Sequence, residues 1–228
     1  MFIAHRGLHN NLEIPENSIS SFKLALEKNY AIELDIHITK DNRLVVIHDN
    51  NLKRMTGVDK FVEELTLNEI KSLNLLNTEE RIPLLSEVLD LIKGEVLLDI
   101  EIKNTKRIKL VCDVLLKELN DYKGDILLKS FNPFIVKTLK GKSNYKVGIL
   151  ISKHSRSKML SILVKTKIIY MFKFDFIALD INLLNFDYYN KYIAKYSLYV
   201  WTFNSINEAQ SYIKNYPKIN VICNNLLK

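Results

Sequence analysis

Residues 33 to 49, ELDIHITKDNRLVVIHD, contain several acidic and imidazole side chains close together. Successive side chains of a strand point to opposite faces, so Glu33, Asp35 and His37 are expected on one face. The polar break TKDN then predicts a hairpin whose returning segment carries His48 back toward the two carboxylates. Carboxylates gathered beside an imidazole can bind a cation or transfer protons. An exposed edge strand is the alternative, because strand acids more often face solvent.

A second charged strand is predicted in LLDIEIK, where the charged residues are spaced by two and share a face. Charges that face the interior of a fold are unfavourable unless they are paired or bind a metal. Together, Glu33, Asp35 and Glu101 offer three hard oxygen ligands, which suit Ca²⁺ or Mg²⁺ rather than zinc. An internal salt-bridge cluster with Lys103 and Arg6 is the alternative, and spacing alone does not decide between the two.

These side chains need a scaffold, and the chain alternates strand and helix patterns joined by short loops. Besides the hairpin, strands are predicted at residues 2–5, 96–103, 125–130, 146–150, 174–179, 197–202 and 220–223. Helices are predicted at residues 19–26, 85–92, 108–119, 132–140, 156–165, 185–196 and 205–214. Asn17 or Ser18 is expected to cap the first helix, and Gly94 to follow the second.

Eight parallel strands with helices between them predict an α/β fold, the closed TIM (β/α)8 barrel, whose chemistry lies at the C-terminal ends of the strands. The reactive residues fall near such ends: His5, Arg6, Glu33, Asp35, Glu101, Lys103, Ser130, Phe131, Trp201 and Asn204. Residues 50–80 are irregular and predict a small insertion after the second strand, with a helix near 66–73. The last helix is expected to be short or missing. An open doubly wound sheet is the alternative, but no glycine-rich phosphate loop supports it.

Composition narrows the class of protein. The 228 residues are 47% apolar, which is enough for one domain over residues 1–228 with a full core. The net charge of +7 comes from lysines spread along the chain, which favours anionic substrates over nucleic acid. Cys112 and Cys223 lack a metal-binding spacing, and the N-terminus lacks a signal-peptide pattern. The apolar stretch 168–181 is too short to span a bilayer, so a cytoplasmic protein is expected.

Six short motifs, in this order, resemble the glycerophosphodiester phosphodiesterase family from the first residues to about residue 204. They are His5-Arg6-Gly7, Pro15-Glu16-Asn17-Ser18, Glu33-x-Asp35 with Thr39-x-Asp41 and His48-Asp49, Glu101-x-Lys103, Ser130-Phe131 and Trp201-Thr202-x-Asn204. The fold of that family is a TIM barrel with a small insertion after the second strand, which agrees with the separate prediction for residues 50–80.

The resemblance implies metal-dependent hydrolysis of a glycerophosphodiester to an alcohol and sn-glycerol 3-phosphate. By position, Glu33, Asp35 and Glu101 match the ligands of a divalent metal, Ca²⁺ or Mg²⁺. By the same alignment, His5 and His48 match the acid/base pair, and Arg6 and Lys103 match residues near the phosphate. Phe131 and Trp201 are expected to form an apolar wall for the substrate, with ordinary packing at the barrel mouth as the alternative.

Within this scheme His5 is the expected base and His48 the expected acid, since imidazole titrates near neutrality. His37 is a candidate for a supporting role, His9 is expected to be an exposed loop residue, and His154 has no predicted partner. A lysophospholipase D-like activity and a non-catalytic phosphodiester-binding barrel are the alternative functions. The former would need an apolar groove, for which the insertion offers Phe61, Val62, Leu65 and Leu67, although packing of the insertion onto the barrel is favoured for them.

One departure from the family lies near the end of the chain. The family usually closes with a strand that reads roughly Gly-Ile-Ile-Thr-Asp, whereas residues 221–225 here are VICNN. No metal or acid/base position is affected, so the departure is expected to concern only the shape of the substrate site. The sequence does not decide the alcohol, the metal or the oligomeric state.

Overall fold

Eight parallel strands close into a barrel in this computed structural model, which describes residues 1–152 and 172–226. The barrel strands are β1 (Phe2–His5), β2 (Ala31–Ile38), β4 (Leu98–Ile102), β5 (Ile126–Ser130), β6 (Lys146–Ile151), β7 (Phe176–Asp180), β8 (Ser197–Phe203) and β9 (Ile219–Cys223). Each strand pairs with the next along the chain, and β1 pairs with both β2 and β9, which closes the sheet. The predicted TIM (β/α)8 barrel is confirmed, and the open doubly wound sheet is wrong.

Helices cover the outside of the barrel between successive strands. They are α1 (Ile19–Glu27), α4 (Leu85–Ile92), α5 (Ile108–Glu118), α6 (Pro133–Lys142), α7 (Phe186–Ile193) and α8 (Ile206–Asn215). Ser18 caps α1 by accepting a hydrogen bond from the Ser21 backbone N–H, and Gly94 follows α4 with a positive φ of 83°. The helix predicted at residues 156–165 and His154 lie outside the described residues. Residues 224–226, the part described after β9, form no helix.

The two faces of each strand have different surroundings. Outward residues such as Ala4, Ile32 and Ile100 pack against the helices in one large apolar cluster. Inward residues form a second apolar cluster within the barrel: Ile3, Ala31, Leu127, Leu150, Phe176, Ala178, Tyr199 and Ile222. A Cβ atom on Gly148 would lie 2.2 Å from the Phe176 ring, so glycine allows that ring to cross the interior. The charged residues near the strand ends therefore lie above a filled apolar floor.

The hairpin after β2 leads into an insertion. Strand β3 (Leu44–Val46) pairs antiparallel with β2, with Ile36 opposite Val46. This strand is shorter than the segment LVVIHD, so His48 lies in the loop that follows it. The insertion contains α2 (Lys53–Thr56), a 3₁₀ turn (Val62–Glu64) and α3 (Leu67–Lys71), which begins after the capping residue Thr66.

An apolar cluster of its own stabilises the insertion. Its buried members are Val45, Ile47, Leu52, Met55, Val62, Ile70, Leu75 and Ile82. Leu65 and Leu67 pack against this cluster, whereas Phe61 is 47% exposed. Val62, Leu65 and Leu67, three of the four residues considered for an acyl-chain groove, therefore pack within the insertion instead. In the described part of the chain, no helix combines the length and apolar character needed to cross a membrane.

Candidate active site

Carboxylates from two neighbouring strands meet at the C-terminal end of the barrel. In the register of β2 and β4, Glu33 lies beside Asp99 and Asp35 lies beside Glu101. Glu33, Asp35 and Glu101 are buried, and one oxygen of each lies within 4.8 Å of the others. The exposed edge strand is therefore wrong, because both acids of β2 point into the barrel.

Two cations lie against these acids. Lys103 Nζ is 2.7 Å from Asp35 Oδ1 and 2.6 Å from Glu101 Oε1, and Arg6 Nε is 3.4 Å from Asp35 Oδ2. Burial raises the pKa of Asp35, but the charges of Lys103, His48 and Arg6 outweigh it and hold that pKa well below its usual value. An internal salt-bridge cluster with Lys103 and Arg6 is the alternative that the sequence leaves open. These ion pairs are present in the structure, beside the three carboxylates.

The same acids form a donor set that fits a divalent cation. Lys103 Nζ lies 2.7 Å from Asp35 Oδ1, so a single cation faces this oxygen where three carboxylates meet. Burial raises the pKa of Glu101, and the nearby charges of Asp35 and Glu33 add to the rise against the opposing charge of Lys103. Three buried carboxylates with one oxygen each within 4.8 Å of the others are an environment in which a hard cation relieves repulsion.

His5 lies at one side of this acidic cluster. Its Nε2 is 3.9 Å from Glu33 Oε2, and its Nδ1 is 2.5 Å from the carboxamide oxygen of Asn224. Burial lowers the pKa of His5 to about 4, against the opposing charge of Glu33. Asn224 follows β9, so one residue of the departure at residues 221–225 contacts His5.

His48 approaches from the insertion. Its Nδ1 lies 2.7 Å from Asp49 Oδ1, and Arg54 Nε donates to the other oxygen of Asp49 at 2.5 Å. His37 Nε2 lies 3.2 Å from the backbone oxygen of His48, which agrees with a supporting role for His37. Burial lowers the pKa of His37 to about 4. The hairpin thus carries His48 toward the carboxylates, but from a loop rather than from a strand.

Glu16 connects the two sides of the site. It accepts hydrogen bonds from Arg6 Nη1 at 2.9 Å, from Arg54 Nη2 at 2.6 Å and from Asn11 Nδ2 at 2.9 Å. Arg54 is a residue that the sequence analysis does not identify, because a lone arginine in an irregular insertion carries no pattern. Through Glu16 and Arg54, a chain of charge-assisted hydrogen bonds runs from Arg6 to the partner of His48.

The loop after β1 holds these groups in special backbone conformations. Arg6 and Asn17 have positive φ angles of 58° and 56°. A Cβ atom on Gly7, whose φ is 79°, would lie 2.5 Å from the Ser21 hydroxyl, so only glycine lets the loop turn this closely against α1. Asn17 Nδ2 then donates to Asp35 Oδ2 at 3.0 Å. The local strain therefore positions Arg6 and Asn17 around the same carboxylate.

Lys129 is a second residue that the sequence analysis does not identify. Its Nζ lies 2.6 Å from Asp99 Oδ2 and 3.2 Å from Glu33 Oε1, and it is only 1% exposed. Burial lowers its pKa, but Asp99 and Glu33 outweigh this effect and raise it. Burial raises the pKa of Asp99 to about 6. A lysine between the apolar residues of ILLKS is the signal that could have revealed this buried cation.

A cavity of about 80 Å³ lies between the two histidines. Eight residues named from the sequence line it: His5, Arg6, Glu33, His48, Glu101, Lys103, Phe131 and Trp201. Asp35, the remaining proposed metal ligand, is buried and does not line this cavity. The rings of Phe131 and Trp201 meet edge to face, with centroids 5.7 Å apart. We call this space the site cavity.

The site cavity adjoins a larger groove of about 700 Å³ under the insertion. His48, Glu101, Lys103 and Phe131 line both spaces, whereas His5 lines only the site cavity. We call the larger space the insertion groove; its other lining residues are His37, Asp49, Asn50, Asn51, Lys53, Arg54, Ile102 and Asn104. His9 lines neither of these two spaces and is half-buried, so the prediction of an exposed loop histidine is wrong.

Known proteins are similar to this chain in sequence and in fold. A 38% identical stretch of 162 residues relates the chain to a glycerophosphodiester phosphodiesterase of Caldanaerobacter subterraneus subsp. tengcongensis, and it covers 66% of each chain. A lysophospholipase D of Homo sapiens is 32% identical over 64% of this chain and 46% of its own length. The matched part of the chain thus spans about two thirds or less of the length of these relatives.

A solved structure has the same architecture. A phosphodiesterase from Oleispira antarctica, in complex with the product sn-glycerol-3-phosphate, superposes with a TM-score of 0.85 over 98% of this chain and 92% of its own, at 21% identity. The model of the glycerophosphoryl diester phosphodiesterase family matches residues 5–223, which is nearly the whole chain. The chain therefore belongs to the glycerophosphoryl diester phosphodiesterase family.

Proposed function

We propose that this protein hydrolyses a glycerophosphodiester to an alcohol and sn-glycerol 3-phosphate with the help of a divalent metal. The observation that carries the proposal is the site cavity, where two histidines flank a buried set of carboxylates and cations. Membership of the family supports it, as does the sn-glycerol-3-phosphate held by the Oleispira antarctica phosphodiesterase.

Glu33, Asp35 and Glu101 would hold the cation, either Ca²⁺ or Mg²⁺. When bound, it would supply positive charge against the charge that grows on the phosphate oxygens. Arg6 and Lys103 line the same cavity and would oppose the charge of the phosphodiester. Phe131 and Trp201 form the apolar wall, which would exclude water from one side of the substrate.

The two histidines differ in where they lie, and this difference supports their roles. His48 lines the site cavity and the insertion groove, so it can reach an alcohol that leaves through the groove. Its Nδ1 is engaged by Asp49, which leaves Nε2 as the nitrogen that exchanges a proton. His5 lies only in the site cavity, on the Glu33 side. We assign His48 as the acid for the leaving alcohol and His5 as the base for the attacking oxygen.

The test is turnover by the purified protein. Glycerophosphocholine and glycerophosphoethanolamine are each incubated with Ca²⁺, with Mg²⁺ or with EDTA, and sn-glycerol 3-phosphate is measured. We expect product with a metal and none with EDTA. We expect the Glu101→Gln variant to be inactive with either metal. Absence of metal-dependent turnover on either substrate would remove the proposal. Binding of the intact diesters without turnover would then favour the non-catalytic binding barrel.

A lysophospholipase D activity is the second candidate, and the relation to the human lysophospholipase D favours it. Against it, the apolar residues Val62, Leu65 and Leu67 pack within the insertion. Lysophosphatidylcholine in the same assay separates the two, because faster turnover of it than of glycerophosphocholine would support the second candidate. The cytoplasmic location stays a prediction.

A further inference from the structure

We propose that Asn224 is a positioning residue that holds His5 in one tautomer, with hydrogen on Nδ1 and the lone pair on Nε2. This inference rests on the proposed function, because it explains how His5 is prepared to act as a base. Asn224 lies just beyond β9, and 219 positions separate it from His5. The contact therefore exists only because β9 closes the barrel beside β1.

The chemistry of the contact assigns the hydrogen. The carboxamide oxygen of Asn224 lies 2.5 Å from His5 Nδ1, and an amide oxygen can only accept a hydrogen bond. His5 Nδ1 must then be the donor, so in the neutral ring Nε2 has no hydrogen. Among the residues that the structure describes, Glu33 Oε2 lies 3.9 Å from His5 Nε2, which is beyond hydrogen-bond distance, so this contact gives the other tautomer no hydrogen bond.

A second asparagine orients the amide of Asn224. Asn224 Nδ2 donates to Asn204 Oδ1 at 3.4 Å, and the Asn224 backbone N–H donates to the Phe203 carbonyl at 2.8 Å. With Asn204 Oδ1 as the acceptor, the amide of Asn224 directs its Nδ2 at Asn204 and its oxygen at His5. Asn204 and the end of β8 therefore keep the Asn224 oxygen directed at His5.

The consequence for the reaction is a base that is ready before substrate binds. The attacking oxygen loses its proton to the lone pair of His5 Nε2, while Nδ1 keeps its own hydrogen. The ring gains one positive charge, and the Asn224 oxygen continues to accept the Nδ1 hydrogen. Without Asn224, the neutral ring would divide between two tautomers and two orientations, and only part of the molecules would present a basic Nε2.

Kinetics of two variants at the same position form the first test. Asn224→Leu removes the acceptor at similar size, and we expect kcat to fall about 10- to 100-fold with KM within about threefold, as for other residues that orient a ligand or base. Asn224→Asp keeps an oxygen acceptor and is expected to retain kcat within about fivefold. Equal kcat for wild type and Asn224→Leu would overturn the inference.

Nitrogen NMR of the metal-free protein, with ¹⁵N-labelled histidine, tests the tautomer without any turnover. The His5 signals are identified by their loss in His5→Gln. We expect the neutral Nδ1–H form in the wild type and a mixture of tautomers in Asn224→Leu. An Nε2–H form in the wild type would contradict the inference. Inactivity of the wild type on every phosphodiester would instead remove the proposed function and leave this measurement valid.

A variant of the exposed residue Asn204 covers the case in which Asn224→Leu does not fold. Asn204→Ala removes the partner that orients the amide and leaves Asn224 in place. We expect a mixture of His5 tautomers and a kcat lowered about 3- to 10-fold, with thermal unfolding close to that of the wild type. Wild-type tautomer and kcat in folded Asn204→Ala would overturn the inference in that case.

Discussion

Arg54 of the insertion binds Glu16 of the loop after β1 through two hydrogen bonds, 2.6 Å from Nη2 to Oε1 and 3.2 Å from Nη1 to Oε2. Glu16 is only 4% exposed and also accepts from Arg6, while Arg54 also donates to Asp49. Paired N–H···O bonds between a guanidinium and a carboxylate are strong and directional. The pair therefore fastens the insertion, with His48, to the loop that carries Arg6.

The first prediction concerns acid stability. Burial raises the pKa of Glu16, but hydrogen bonds from Arg54 and the charge of Arg6 outweigh it and lower the pKa from 4.5 to about 2. Because the folded pKa lies below the unfolded one, the carboxylate stabilises the fold above pH 4.5, and this contribution is lost as the pH falls toward 2. Glu16→Gln should lower the free energy of unfolding at neutral pH by about 3 kcal/mol.

Urea unfolding at several pH values measures this effect. The difference between wild type and Glu16→Gln should shrink below pH 4.5 and vanish near pH 2. Glu13→Gln is the matched control, since Glu13 lies exposed in the same loop and should not change the pH dependence. A difference that stays constant with pH would contradict the role given to Glu16.

The second prediction concerns Arg54 and the orientation of His48. Arg54→Met removes the donor to Asp49, so the carboxylate that holds His48 Nδ1 loses its own support. We expect kcat for glycerophosphocholine to fall about tenfold, as is typical when an outer-shell partner is lost. Lys60→Met is the control, because Lys60 lies exposed on the same insertion. Equal losses in both variants would show that the insertion is generally sensitive.

The third prediction concerns metal binding. Calorimetric titration of the wild type with Ca²⁺ and Mg²⁺ should show one site, and Glu101→Gln should weaken it by about 100-fold or more, since losing an outer-shell partner alone costs about 10- to 100-fold. Asp90→Asn, at an exposed helix position, should bind as the wild type does. Unchanged affinity in Glu101→Gln would remove Glu101 from the ligand set.

The fourth prediction separates the acid from the base. A nitrophenyl leaving group departs without protonation, so it makes a general acid unnecessary. With a glycerophosphate ester of nitrophenol, His48→Ala should retain kcat within about tenfold of the wild type, whereas His5→Ala should lose about 10²- to 10⁴-fold. With glycerophosphocholine both variants should be slow. The reverse pattern would exchange the two roles.

The fifth prediction concerns the buried cation beneath the site. Lys129→Met leaves Asp99 and Glu33 without their partner and should destabilise the fold by about 3–5 kcal/mol. Asp99→Leu combined with Lys129→Met replaces that ion pair by apolar atoms and should recover the part of the loss that comes from Asp99, while Glu33 stays without its partner. The measurement is thermal unfolding of the three proteins. A double variant no more stable than Lys129→Met would contradict this account.

Several features of the fold and site follow from local pattern. Alternation along β2 and β4 predicts that Glu33, Asp35 and Glu101 face one side, and the structure buries them together. The capping residue Ser18 and the glycine after α4 predict where those helices begin and end. The order of strands and helices predicts the barrel, because parallel neighbours require a crossover between them. These features depend on residues close together in the chain.

The sequence by itself determined the order of strands and helices that makes the barrel, the shared face of its acids and the family of the chain. Only the tertiary structure decided which distant side chains complete the site: Lys129 beneath Glu33, Arg54 on Glu16, and Asn224 on His5. The physical reason is that the period of a strand sets the face of each side chain, whereas contacts across the barrel depend on register and closure. Arg54 and Asn224 come from segments whose own patterns carry no sign of the site, and the buried position of Lys129 shows only that it needs a partner.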